Sequence, residues 1–302
     1  MKRKAIFATT VIVGIVLVLL LGNYFIWHRE DNGRAKYKEY TSAHSLTKKY
    51  TKNDYKLAIE LIGAIQKKDD NQVSLLIKKN KQINCPQFEE DPHSDMPAPF
   101  TPLSAACYIG DYETAKMLVA QGAVANVRDT YSPLELALDR YEPEDLDLVK
   151  LLVSNGENVR KGVYLDDVAE CGNFNYNTEN DNQRIVDIYK YLEEQGAQMS
   201  SIDKVLSNAA YMGNTSLAKF LIEERGADVN RETIATPLIR AVYAHSVLDE
   251  KAVKMVKMLL EHGADRNYVY ALEEPPENYG TALDIVKTYP TPNQELIKLL
   301  EN

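Results

Sequence analysis

The chain has 302 residues, 45% of them hydrophobic and 26% charged, with a formal net charge of −9. These proportions are ordinary for a folded protein and leave room for about two domains. The acidic balance argues against a duplex nucleic-acid binder, whose footprint is basic; it suits a solubilising surface, or a basic protein partner. Cys85, Cys107 and Cys171 are odd in number, lack CxxC spacing, and have no His following at a zinc-ligand interval. A complete disulfide framework and a zinc site are therefore both excluded. Cys107 and Cys171 read as small buried helix residues.

At the N-terminus, Lys2, Arg3 and Lys4 precede a run from Ala5 to Trp27 without a single charge. A membrane-spanning helix needs ~20 such residues, and its backbone groups are satisfied internally. Tyr24 and Trp27 fall where an interfacial aromatic belt would lie, and the basic cluster puts residues 1–4 in the cytoplasm. A cleaved signal peptide would have an apolar core of ~7–15 residues and a small-residue cleavage site. This run is longer, and its exit, Leu21-Gly22-Asn23-Tyr24-Phe25, has no A-x-A pattern. No Cys follows it, which excludes a lipoprotein. The expected order is a cytoplasmic N-terminus (1–4), a signal-anchor helix (5–27), and a polar, Lys-rich stalk (28–54). The remainder, 55–302, lies outside the cytoplasm.

After the stalk the chain repeats itself. The clearest unit is Thr101-Pro102-Leu103-Ser104-Ala105-Ala106-Cys107-Tyr108-Ile109-Gly110, followed by Met117-Leu118, Gly122-Ala123 and Asn126. Proline suits the first turn of a helix, where its missing N–H costs nothing. Gly122 ends the second helix in the left-handed conformation that glycine tolerates. The frame returns at Ser132-Pro133-Leu134 with Ala137, Leu152 and Gly156, and at Val205-Leu206 with Ala209, Gly213, Leu221 and Gly226-Ala227. It returns again at Thr236-Pro237-Leu238 with Ala241, Leu259 and Gly263-Ala264, and at Thr281-Ala282-Leu283 with Leu296 and Leu300. Leu165, Val168, Gly172, Leu192 and Gly196-Ala197 make a degenerate copy. Ala58 to Asn84 makes an atypical first copy, with Lys68 where Gly is usual.

This pattern resembles the ankyrin repeat of ~33 residues. The resemblance covers most of the chain after the stalk. It implies an all-α ankyrin-repeat solenoid of about six to seven helix pairs, with repeats near 55–84, 101–130, 131–162, 163–200, 202–233, 236–267 and 280–302. The His usual after Thr-Pro-Leu is absent, replaced by Ser104, Glu135 and Ile239, so the hydrogen bonding of those turns departs from the family's pattern. Residues 85–100, with four prolines, and 140–147, 173–184 and 268–279 interrupt the period and read as inserted loops.

No G-x-S-x-G, H-E-x-x-H, phosphate-cradling glycine loop or G-x-G-x-x-G occurs. No catalytic, cofactor-binding or metal-binding residue is therefore expected, and the acidic stretch Glu89 to Asp95 reads as solvated. The resemblance implies a protein-binding role instead. Its concave groove is lined by the exposed residue just before each inter-helix turn: here Tyr108, Asp139, Glu170, Tyr211 and Tyr243. Arg128, Tyr131, Arg160, Lys161, Arg231 and Tyr268 join from the inter-repeat turns. The chain holds 19 Tyr against 6 Phe and 1 Trp, and tyrosine gives large, amphipathic contact at low entropic cost. The expected partners are another protein and, through residues 5–27, the lipid bilayer, for a monomer that binds no nucleic acid. The resemblance extends to small membrane-anchored bacterial ankyrin proteins. It implies a periplasm-facing immunity protein that blocks a cognate antibacterial toxin or, alternatively, a scaffold or chaperone for an envelope or oxidative-stress enzyme.

Overall fold

The computed structural model describes residues 50–86, 100–126, 132–138, 146–160, 162–170, 179–243, 250–270 and 280–301. The apolar run 5–27 and most of the stalk lie outside them. Among the described residues no helix is long and apolar enough to cross a membrane. The chain forms two compact units: residues 1–136 with 154–156, and residues 137–153 with 157–302.

The first unit holds α1 (Lys52–Gln66), α2 (Asp70–Lys79), α3 (Pro102–Ile109) and α4 (Tyr112–Ala120). Its helix starts are written in the sequence. Thr51 and Asp54 form a reciprocal capping box at α1, and Asp69, Thr101 and Asp111 each accept the backbone N–H of the third residue of the helix they open. Each cap satisfies a donor that the helix cannot. Ala58, Leu61, Ile62 and Ile65 follow helical spacing and are buried. α1 packs on α2 and α3, α3 on α4, and α2 on α4, giving two layers of helices. Gly110 ends α3 at φ 70°, as expected of its turn. The corresponding turn after α1 places Lys68 at φ 54°, the one described non-glycine residue with positive φ. At the unit boundary lie α5 (Pro133–Leu138) and α6 (Leu146–Ser154).

The second unit continues with α7 (Tyr164–Glu170), α8 (Glu179–Glu194), α9 (Ile202–Met212), α10 (Thr215–Arg225), α11 (Pro237–Tyr243), α12 (Glu250–Glu261), α13 (Ala282–Thr288) and α14 (Gln294–Glu301). One layer runs α7, α9, α11, α13; the other runs α8, α10, α12, α14, each helix packed on its partner and on its layer neighbours. The degenerate copy at 163–200 is a true helix pair, α7 with α8, closed by Gly196 at φ 85°. The inserted loop expected at 173–184 is shorter than its sequence suggests, because α8 already begins at Glu179. The insertion at 268–279 starts on an antiparallel bridge between Tyr270 and Gly280, with N–H···O distances of 3.0 and 3.2 Å.

In both units an asparagine ties one repeat to the next. Asn84 donates to the Gly122 carbonyl at 3.0 Å and accepts from the Val124 N–H at 2.9 Å. Asn230 does the same with Gly263 and Asp265, at 3.0 and 2.7 Å. These amides satisfy the carbonyl left open where a helix ends. The turns that lack the usual His are capped otherwise. The Ser104 and Thr101 hydroxyls bond each other at 2.9 Å, Ser132 accepts from Leu134 and Glu135, and the Thr236 hydroxyl accepts from the Ile239 N–H at a long 3.5 Å. Cys85 and Cys107 are buried; Cys171 lies outside the described residues.

Candidate protein-binding face

Helices α7, α9 and α11 lie side by side, and each carries two functional positions three residues apart, on one side of the helix. They are Asp167 and Glu170, Asn208 and Tyr211, Arg240 and Tyr243. Contacts between neighbours show that these positions form one face. Asn208 donates its amide to the Glu170 carboxylate at 2.8 Å. One repeat on, the Arg240 guanidinium lies 4.0 Å from the Tyr211 ring centroid. Asn208 and Arg240 thus each reach back to the second-row residue of the repeat before.

Glu170 is exposed, whereas Tyr211 and Tyr243 are half-buried and not the open side chains expected of groove positions. The cause is lateral packing. Arg240 covers Tyr211, and Tyr270 meets Tyr243 edge-on with centroids 6.0 Å apart. Tyr289 enters the same cluster and donates its hydroxyl to the Val242 carbonyl at 3.2 Å. Burial, reinforced by Tyr243 and Tyr211, pushes the Tyr289 phenol up to about 12, and burial followed by Tyr270 raises that of Tyr243. Both phenols are therefore neutral at physiological pH and able to donate and accept hydrogen bonds. Burial pulls the Arg240 guanidinium below its ordinary value, opposed by Tyr211, Glu170 and Tyr270; arginine nonetheless remains a cation in proteins.

In the first unit Tyr108 stands at the end of α3, exposed and edge-on to Phe100 at 6.0 Å. Among the turn residues, Arg231 lies 3.5 Å from Asp203 and 3.8 Å from Asp228, and Tyr268 hydrogen-bonds Glu232. The Arg160 guanidinium lies over Gly196, where a Cβ would meet its Nε at 3.0 Å. The Tyr268 and Arg160 contacts join one turn to its neighbour, and Arg231 ties its turn to the start of α9. Asp139, Arg128, Tyr131 and Lys161 lie outside the described residues. The sequence reading missed Asn208 and Arg240. The signal was there: both are polar residues in the apolar stretch before a turn, three residues ahead of a position already chosen. Among the described residues no group of three or more His, Cys, Asp or Glu could hold a metal ion.

Comparisons agree with this architecture. The family model described as ankyrin repeats (3 copies) matches residues 61–162, and the single ankyrin-repeat model matches 205–234 and 235–270. No curated protein matches the chain in sequence. Among solved structures, the ankyrin repeat domain of human ASB11 is 18% identical, with 80% of this chain and 96% of that one covered at a TM-score of 0.52. The ankyrin repeat domain of Bcl-3, described as a unique member of the IκB protein family, is 16% identical, with 80% and 98% covered at a TM-score of 0.43. The matched repeats, the glycine-closed helix pairs and the two-layered packing lead to one assignment: this chain belongs to the ankyrin-repeat family.

Proposed function

We propose that this chain is a membrane-tethered module that grips a partner protein with the face carried by α7, α9 and α11, and performs no reaction of its own. The carrying observation is the repeated pair of positions on α7, α9 and α11. They hold Glu170, Tyr211 and Tyr243 together with Asn208 and Arg240, on helices whose other side chains are mostly small or apolar and buried. A rigid scaffold loses little entropy on binding, so aromatic and Arg anchors on it convert efficiently into affinity. Residues 5–27 supply the tether, and Lys2, Arg3 and Lys4 support an extracytoplasmic location for the repeats. An alkaline phosphatase fused after Asn302 is then active; an inactive fusion reverses the orientation.

The sharpest form of this function is immunity, in which the face occludes an antibacterial toxin. Its support is the resemblance to small anchored bacterial ankyrin proteins. The test is a pull-down from native membranes with the full chain as bait, followed by affinity measurements on the retained protein. Tyr211→Phe and Tyr243→Phe remove one hydroxyl each and keep the half-buried ring, Glu170→Gln removes the charge, and Tyr108→Ala removes an exposed ring. The combined variant is expected to bind at least ~10-fold more weakly with its melting temperature nearly unchanged. Undiminished binding would move the interface to another surface. A retained resident envelope enzyme in place of a toxin would replace immunity with scaffolding.

A further inference from the structure

Arg240 is a cation that makes no ion pair among the described residues. Its Nε is shielded from solvent and has no hydrogen-bond partner. The guanidinium makes no hydrogen bond and no ion pair among the described residues; its contact is with the ring of Tyr211, at 4.0 Å. Glu170, the carboxylate whose field reaches it, is engaged by the Asn208 amide at 2.8 Å. The neighbouring phenols of Tyr243 and Tyr270 are held protonated by burial and cannot neutralise it. A half-buried charge without a partner costs stability, and the fold has no general need of one there. At the same register of α3 stands Ala105, fully buried.

A guanidinium stacked face-on against an aromatic ring keeps its edge donors in the plane, in the fork that matches a carboxylate. The surroundings select the type of anion. Glu170 lies within Coulomb range of Arg240 and the chain as a whole is acidic, so a dianionic phosphate is repelled more than a single carboxylate. We infer that Arg240 is the anchor for an Asp or Glu side chain of a protein partner, clasped over the Tyr211 ring and beside Tyr243. The inference rests on the reading of this face as the binding face.

The experiment uses the full chain in detergent micelles and two immobilised pools of random heptapeptides, one with Glu fixed at the centre and one with Gln. The wild-type chain is expected to retain the Glu pool ~10-fold better than the Gln pool, the scale of a charge-assisted hydrogen bond. Arg240→Gln is expected to bring the ratio to about one, and Arg240→Lys to keep part of the preference, since it keeps the charge but loses the fork. The melting temperature of Arg240→Gln is expected to stay level or rise. Equal retention of the two pools by the wild type, or no retention of either, overturns the inference. So does a preference that persists in Arg240→Gln, or a fall in melting temperature showing that Arg240 is a structural residue. If the pools are not discriminated while Tyr211→Phe and Tyr243→Phe still weaken the natural partner, the carboxylate anchor fails and the binding face stands. If those variants leave the natural partner unaffected, the face itself is wrong.

Discussion

Helices α3 and α11 both follow a threonine with Pro-Leu and both carry a tyrosine at the same position near their end, Tyr108 in one and Tyr243 in the other. Five residues bury at the same register, from Pro102 and Leu103 to Cys107, and from Pro237 and Leu238 to Val242. They part at one position. Ala105 disappears into the packing of the first unit, while Arg240 stays half-buried and carries a charge across to Tyr211. A shared backbone frame thus tolerates a methyl group or a guanidinium at the same point. The frame specifies the fold; the choice at that point distinguishes a packing surface from one with chemistry to offer.

Exchanging the two residues is the strongest way to break this comparison. Ala105→Arg forces a long cation into a fully buried site and is expected to cost at least ~3 kcal/mol. Arg240→Ala removes an uncompensated charge and is expected to change stability by less than about 1 kcal/mol. Chemical denaturation of the two variants decides the matter, and similar losses in both would mean that the positions are not equivalent. A smaller effect separates the inter-helix turns. Gly110→Ala puts a side chain at φ 70° and is expected to cost about 1–2 kcal/mol. Lys68→Gly relieves the same strain at φ 54°. It is expected to gain up to about 1 kcal/mol, less the entropy glycine adds to the unfolded chain. A loss on Lys68→Gly would show that the first repeat uses the lysine for packing.

The smallest effect tests a contact of the second unit that the first does not share. His262 donates from Nδ1 to the Met258 carbonyl at 2.8 Å and faces Glu223 through Nε2 at 3.0 Å. The carbonyl and then the carboxylate raise its folded pKa above the ordinary 6.5. The stability it contributes is therefore complete below that value and is lost as pH rises through the folded pKa. The gap in unfolding free energy between wild type and His262→Gln is expected to be wider at pH ~5.5 than at pH ~9. An equal gap at both would show that the imidazole contributes nothing by ionising.

Local chemistry was legible in the sequence. Thr101, Asp111 and Gly110 act on residues three or four positions away, so their order along the chain is enough to place helix starts and turns. The same logic found α7 and α8 in a stretch outside the matched 61–162 and 205–270. What escaped depended on neighbours in space. Tyr211 reads as an open groove position until Arg240, from the next repeat, is laid on it. Tyr289, far along the chain, closes on the Val242 carbonyl, and nothing in the spacing of either residue announces the pair. Arg240 itself was readable as a lone cation in an apolar helix, but that it makes no ion pair among the described residues is a property of the packed face.

The bridge between Tyr270 and Gly280 has a consequence for how this chain can change over evolutionary time. Two backbone hydrogen bonds fix the ends of an insertion just before Thr281 caps α13. Once the ends are held, lengthening the segment between them costs only about 0.6 kcal/mol for each doubling. The junction behaves as a socket, into which sequence can be added or removed without shifting the last two helices. An epitope tag or a fluorescent reporter spliced between 271 and 279 should therefore leave the solenoid's melting temperature almost where it was.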